Sequence, residues 1–133
     1  NNPDNPMSIV TKFGTHIALY DRYLVVAAPT PGDNSVFFYA NDGSGEIRFG
    51  YDNIKGVSIY EDKAIILSGS KIYVHKRVGS TWNLYAYYKD TDNGVPESCA
   101  IWNNEIIMGI PSFYKCAGVN CFNTGKASFA TVE

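Results

Sequence analysis

Three stretches of this chain align with one another without a gap, and that recurrence constrains the fold more than any other feature. They are Ile17-Ala-Leu-Tyr-Asp-Arg-Tyr-Leu-Val-Val-Ala-Ala-Pro29, Val57-Ser-Ile-Tyr-Glu-Asp-Lys-Ala-Ile-Ile-Leu-Ser-Gly69 and Cys99-Ala-Ile-Trp-Asn-Asn-Glu-Ile-Ile-Met-Gly-Ile-Pro111. Their offsets are 40 (Pro29 to Gly69) and 42 (Gly69 to Pro111). Each runs apolar, small, apolar, aromatic, two polar residues, one variable residue, then an apolar run that ends in Gly or Pro. The small residue (Ala18, Ser58, Ala100) lies between bulky neighbours, and the aromatic (Tyr20, Tyr60, Trp102) precedes a polar pair suited to a hairpin turn. The apolar run that follows has no polar face, which predicts a strand covered on both sides.

The rest of the chain extends the same unit. Val36 to Tyr39, Ile72 to His75 and Ala127 to Ala130 read as third strands; Glu46 to Tyr51 and Trp82 to Tyr88 read as more polar, aromatic fourth strands. Turn chemistry separates them, as at Asn41-Asp-Gly-Ser-Gly45, Val78-Gly-Ser80 and Asp92-Asn-Gly94. No window shows a capped 3.6-residue period, so helices are not expected. The predicted fold is all-β: an array of about three four-stranded antiparallel blades resembling a β-propeller, alone or within a larger or assembled propeller. Residues 1–11 are expected to be an irregular lead-in, or a strand completing a neighbouring blade. The repeats fall at about 12–51, 52–88 and 89–133.

At this point the residues resemble a known family. Phe13-Gly14-Thr15-His16-Ile17-Ala18 through Leu24-Val25-Val26-Ala27-Ala28-Pro29 is similar to the FG-GAP repeat of integrin-α-type propellers, which opens with Phe-Gly and closes its second strand with Gly-Ala-Pro. The closing triplet here is Ala27-Ala28-Pro29 in the first repeat and Gly109-Ile110-Pro111 in the third. The second repeat departs, with Ser68-Gly69-Ser70, and the opening Phe-Gly occurs once in register. The resemblance implies an extracellular, secreted or cell-surface adhesion or recognition module. It also implies a calcium loop of the form Asp-x-Asp-x-Asp-Gly-x-x-Asp. Asp90-Thr-Asp92-Asn-Gly94-Val-Pro96-Glu97 is the nearest stretch, one residue short and stiffened by Pro96. Asp90 and Asp92 are therefore the candidate Ca²⁺ ligands, Asn41-Asp-Gly-Ser-Gly-Glu46 being a weaker match, and a plain polar turn is the competing reading.

Composition narrows the function classes. In 133 residues, 11 basic and 13 acidic side chains leave a net charge of −2, without the clustered Lys and Arg of a nucleic-acid footprint or a polybasic membrane contact. No apolar run approaches the length of a membrane-spanning helix. The chain contains no nucleophile elbow, no phosphate-binding glycine loop between a strand and a helix, and no Asn-x-Ser/Thr sequon. His16 and His75 sit in strand patterns, where a packed or surface role is expected rather than catalysis. The reading is therefore non-enzymatic, with no cofactor beyond the Ca²⁺ candidate.

Three cysteines are present. Cys116 and Cys121 share a loop-like stretch and suit a disulfide in an oxidising compartment, leaving Cys99 as a small apolar residue. Ten Tyr and seven Phe raise the aromatic content to 14%. Tyr85, Tyr87, Tyr88, Phe113 and Tyr114 are candidate contacts for a partner protein or a sugar face; packing against a neighbouring blade is the alternative for each. Three blades fall short of the four to eight of known propellers and would leave apolar end faces. The expected partner is protein, through self-association into a ring or filament or through the rest of a larger propeller. Capping of the end repeats in a compact monomer is the competing outcome. A lectin-like or glycan-active role built on exposed Tyr and Trp is the second functional reading.

Overall fold

A computed structural model describes residues 14–30, 33–40 and 42–133. The lead-in assigned to residues 1–11 and the Phe13 of the Phe-Gly pair lie outside the described residues. The chain is all-β, with thirteen strands and no helix among the described residues. Every pairing between the strands is antiparallel.

Strands β1 (His16–Tyr20), β2 (Tyr23–Thr30), β3 (Asp33–Ala40) and β4 (Ile47–Gly50) form one meander in the order β1-β2-β3-β4. Strands β5 (Ile54–Tyr60), β6 (Lys63–Ser68), β7 (Lys71–Val78) and β8 (Thr81–Lys89) form a second with the same order. The third sheet holds β9 (Ser98–Trp102), β10 (Glu105–Ile110) and β13 (Lys126–Thr131), in the order β13-β10-β9.

This third sheet corrects the expectation of three four-stranded units. It has three strands among the described residues. Its second and third strands are separated by a free-standing hairpin, β11 (Tyr114–Ala117) and β12 (Asn120–Asn123). The insertion breaks the local meander, but β13 still pairs with β10 at the position β3 and β7 take in their sheets.

The recurring aromatic-polar-polar segment does the same job each time. Tyr20 pairs with Tyr23, Tyr60 with Lys63 and Trp102 with Glu105, so each loop is two residues long. The first loop residue is held at positive φ: Asp21 at 55°, Glu61 at 54° and Asn103 at 58°. Turns with positive φ at that position match the right-handed twist of the paired strands, and Asp21 and Asn103 adopt that backbone more readily than Glu61 does.

The sheets stack face to face, and their first strands β1, β5 and β9 lie beside one another in that order. One core lies between the first two sheets. It joins Val25, Ala27, Val36 and Phe38 to Ile54, Ile59, Ala64, Ile66 and Trp82. A second lies between the second and third sheets and joins Ile65, Leu67, Ile72 and Val74 to Ile101, Ile106, Met108 and Val132. Alternate residues of β6 therefore enter different cores: Ala64 and Ile66 face the first sheet, Ile65 and Leu67 the third. All four are fully buried, which accounts for the absence of a polar face in that strand.

Candidate functional site

Cross-strand pairing fixes which residues of the three sheets correspond. Val25 pairs with Ala18 and Phe38, Ile65 with Ser58 and Val74, and Ile107 with Ala100 and Phe129. Ala27 pairs with Val36, Leu67 with Ile72, and Gly109 with Ala127. In the first sheet, Val25, Ala27, Val36 and Phe38 are buried against the second sheet. In the second, Ile65, Leu67, Ile72 and Val74 are buried against the third. In the third sheet, the corresponding Ile107 is 38% exposed and Phe129 69% exposed, and Ala127 is exposed beside them. Ala100, Trp102, Ile107 and Phe129 border a shallow apolar hollow of about 200 Å³.

The aromatic that closes each first strand continues this pattern. The Tyr20 and Tyr60 rings are 5.0 Å apart, and the Tyr60 and Trp102 rings 4.4 Å. The recurring position thus forms a ladder across the sheets, ending at Trp102, which is 71% exposed. Tilted aromatic contacts at such distances contribute about 1 kcal/mol each beyond area burial.

The aromatics singled out from sequence do not converge on one site. No ring contact joins Tyr85, Tyr87 or Tyr88 to Phe113 or Tyr114 among the described residues. Tyr85 is the extra residue of a β-bulge: His75 pairs with Leu84 and Val74 with Ala86. The Lys76 ammonium sits 3.7 Å from its ring centre, and its hydroxyl donates to the Glu133 carbonyl. Lys71 lies 4.9 Å from the centre of the Tyr87 ring. Both rings are exposed yet carry an ammonium on one face. Tyr88 is half-buried and packs on the second core. Tyr114 is exposed. Phe113 lies under the Lys126 ammonium, 4.3 Å from its ring centre.

That lysine also defines the acidic stretch. Lys126 Nζ lies 2.8 Å from Asp90 Oδ1 and 2.9 Å from Asp92 Oδ2, so an ammonium bridges the two candidate Ca²⁺ ligands. Gly94 N–H donates to Asp90 Oδ2 at 2.8 Å, and a Cβ at Gly94 would stand 2.8 Å from that oxygen. No group of three or more His, Cys, Asp or Glu side chains is placed to hold a metal among the described residues. Burial pushes the Asp90 carboxyl upward, but Lys126, the Gly94 amide and the Ser128 hydroxyl together hold it below the ordinary value. Lys126→Met is therefore expected to cost about 2 kcal/mol of stability at neutral pH, measured by urea unfolding, because a buried carboxylate loses its cation. Loss of under 0.5 kcal/mol, the ordinary range of a surface change, would count against the bridge.

Cys116 and Cys121 stand opposite each other in the hairpin and are joined by a disulfide with an S–S distance of 2.02 Å. Cys99 is half-buried against the second core, and burial pushes its thiol up to about 11, keeping it protonated.

Two arrangements were not foreseen from sequence. The Arg77 guanidinium lies 3.8 Å from the Tyr23 ring centre, where it joins the outer rims of the first and second sheets. His75 is fully buried between Phe38 and Phe49, with Nε2 hydrogen-bonded to the Tyr51 hydroxyl at 2.5 Å. Burial lowers the His75 pKa to about 4 and raises that of Tyr51 to about 12, so both are neutral at physiological pH. The strand pattern at His75 pointed to packing but could not name its partners.

No protein-family model matches the chain, and no curated protein sequence matches it.

Proposed function

We propose that this chain is a propeller-type, non-enzymatic recognition or structural module, and that its working surface is the outer face of the third sheet. The observation that supports this most is the correspondence of positions. Ile107 and Phe129 occupy the places of Val25 and Phe38, and of Ile65 and Val74, which are buried against a following sheet. A face built to the same pattern and left apolar is a surface awaiting a protein partner. The side-by-side placement of β1, β5 and β9 suits blades gathered around an axis, in keeping with the FG-GAP resemblance. A disulfide-bonded hairpin suits an extracellular or cell-surface setting. Among the described residues, no helix is long and apolar enough to cross a membrane.

Electron microscopy and sedimentation of the purified chain test this reading. Particles larger than one chain are expected, and Phe129→Asp is expected to reduce them to single chains without loss of secondary structure. Wild-type particles of single-chain size would sink the reading.

A further inference from the structure

A different cavity, of about 460 Å³, opens where the rims of the first and second sheets meet, and no third-sheet residue lines it among the described residues. Its volume is in the range of small-molecule sites. The first sheet contributes Arg22 from the β1–β2 turn, Tyr23 from β2 and Tyr39 from β3; the second contributes Arg77 from β7 and Trp82 from β8. Arg22 and Arg77 are the charged side chains that line it among the described residues. Two guanidinium groups bordering one hollow repel each other unless an anion lies between them. Arg77 is already positioned for one. Its guanidinium carbon sits 3.8 Å from the Tyr23 ring centre and 5.9 Å from that of Trp82, and Nη1 donates to the Gly79 carbonyl at 2.8 Å. Rings from two sheets and a hairpin carbonyl therefore hold the group in place. Nε has no hydrogen-bond partner and Nη2 makes no hydrogen bond among the described residues, so the guanidinium has more donors than acceptors. Arg22 is exposed, and its guanidinium makes no hydrogen bond or ion pair among the described residues. Two nearby carboxylates, Asp42 and Glu46, do not line the cavity and have partners of their own. The Ser44 hydroxyl and amide hold Asp42 below the ordinary carboxylate value, with a smaller pull from Arg22, and the Tyr39 hydroxyl donates to Glu46 at 2.8 Å.

We propose that this cavity binds an acidic sugar, a pyranose ring bearing a carboxylate or a sulfate group, with Arg22 and Arg77 clamping the oxyanion. Guanidinium groups pair with such oxyanions through parallel N–H donors, and they do so best when already held in orientation. The rest of the wall fits the ring. Tyr23, Tyr39 and Trp82 supply an apolar surface for its C–H face, and the Ser44 and Ser80 hydroxyls border the cavity as partners for its own hydroxyls. A bare inorganic anion would leave the aromatic wall unused. A neutral sugar would leave two guanidinium groups without a counter-charge. The site stands apart from the third-sheet face, so either reading can fail without the other.

Titration of the ¹⁵N-labelled chain, followed by amide and indole NMR shifts, tests the site. The charged probes are glucuronate and galactose 6-sulfate. Glucose and galactose are the neutral controls, and acetate and inorganic sulfate the bare anions. At least one charged sugar is expected to bind with a Kd below about 1 mM, shifting the signals of Gly79, Ser80 and the Trp82 indole. Its affinity is expected to exceed that of its neutral parent and of its bare anion by about tenfold or more. Arg22→Gln replaces an exposed side chain and is expected to weaken binding about tenfold with an unchanged circular dichroism spectrum. Arg77→Lys keeps the charge but loses the planar fork, and a similar loss is expected, with the urea midpoint measured beside it because Arg77 also joins two sheets. Equal affinity for a charged sugar and its bare anion overturns recognition of the ring. Tighter binding of a tetraglutamate peptide assigns the cavity to acidic protein and overturns the sugar. Unchanged affinity in Arg22→Gln, or shifts confined to the Trp102 indole, overturns the clamp. No shift with either charged sugar at about 20 mM, far above the expected Kd, overturns the site itself.

Discussion

Replacing Phe38 by alanine is expected to destabilise the chain by about 4 kcal/mol, seen as a fall in the urea midpoint with little change in slope. Phe38 is fully buried between the first two sheets. Its ring lies 4.9 Å from that of Trp82, 5.3 Å from His75 and 5.6 Å from Phe49. Removing it leaves a cavity among rigid rings from two sheets, which cannot close without moving a strand. The same change at Phe129, the corresponding residue of the third sheet, is expected to cost the dissociated chain under about 1 kcal/mol, because solvent already surrounds the ring. Equal losses at the two positions would show that the third-sheet face is covered within a single chain.

Stability is expected to fall by about 3 kcal/mol between pH 6.5 and pH 4 through His75 alone. Burial lowers its pKa from 6.5 to about 4, so the unfolded chain takes up the proton first as pH falls. The His75 contribution is complete above pH 6.5 and is lost progressively as pH drops toward the folded value. Protonation would place a charge between Phe38 and Phe49 and make both ring nitrogens donors, with the buried Nδ1 finding no acceptor among the described residues. Carboxylates such as Asp90, held low by their partners, lose their contribution at still lower pH, so the upper part of this window isolates the histidine. Urea unfolding across the window measures the slope. His75→Gln is expected to flatten it whatever its effect on overall stability, and an unchanged slope in that variant would reject the assignment.

Local periodicity revealed the all-β character because it requires only neighbours in sequence. Two-residue turns at Asp21-Arg22, Glu61-Asp62 and Asn103-Asn104 follow from short polar pairs between strands, and the two-faced burial of β6 follows from Ala64-Ile-Ile-Leu67 lacking a polar residue. What the sequence concealed was contact between distant segments. Lys126 reaches Asp90 and Asp92 across more than thirty residues, and nothing near those aspartates signals a lysine instead of a metal. The alternation in β8 would place Tyr85 on the wrong face unless the bulge beside His75 were known. The Cys116–Cys121 stretch read as a loop because its four-residue strands are too short to show a period. Exposure was the hardest property to read. Phe38 and Phe129 hold the same place in the repeat, and only the presence or absence of a following sheet distinguishes them.

Burial on both sides of β6 leaves the middle sheet open to an error that most strands avoid. In a strand with one wet face, sliding by a single residue turns the oily side chains toward water, and that cost holds the alignment. Ala64, Ile65, Ile66 and Leu67 have no wet side to lose, so a one-residue slip merely exchanges the two interiors they fill. Alignment must then come from the ends of the strand, where Glu61 and Gly69 adopt left-handed backbone at 54° and 60° and set the loops on either side. In this layer the turns, and not the greasy sequence between them, determine which residue sits opposite which.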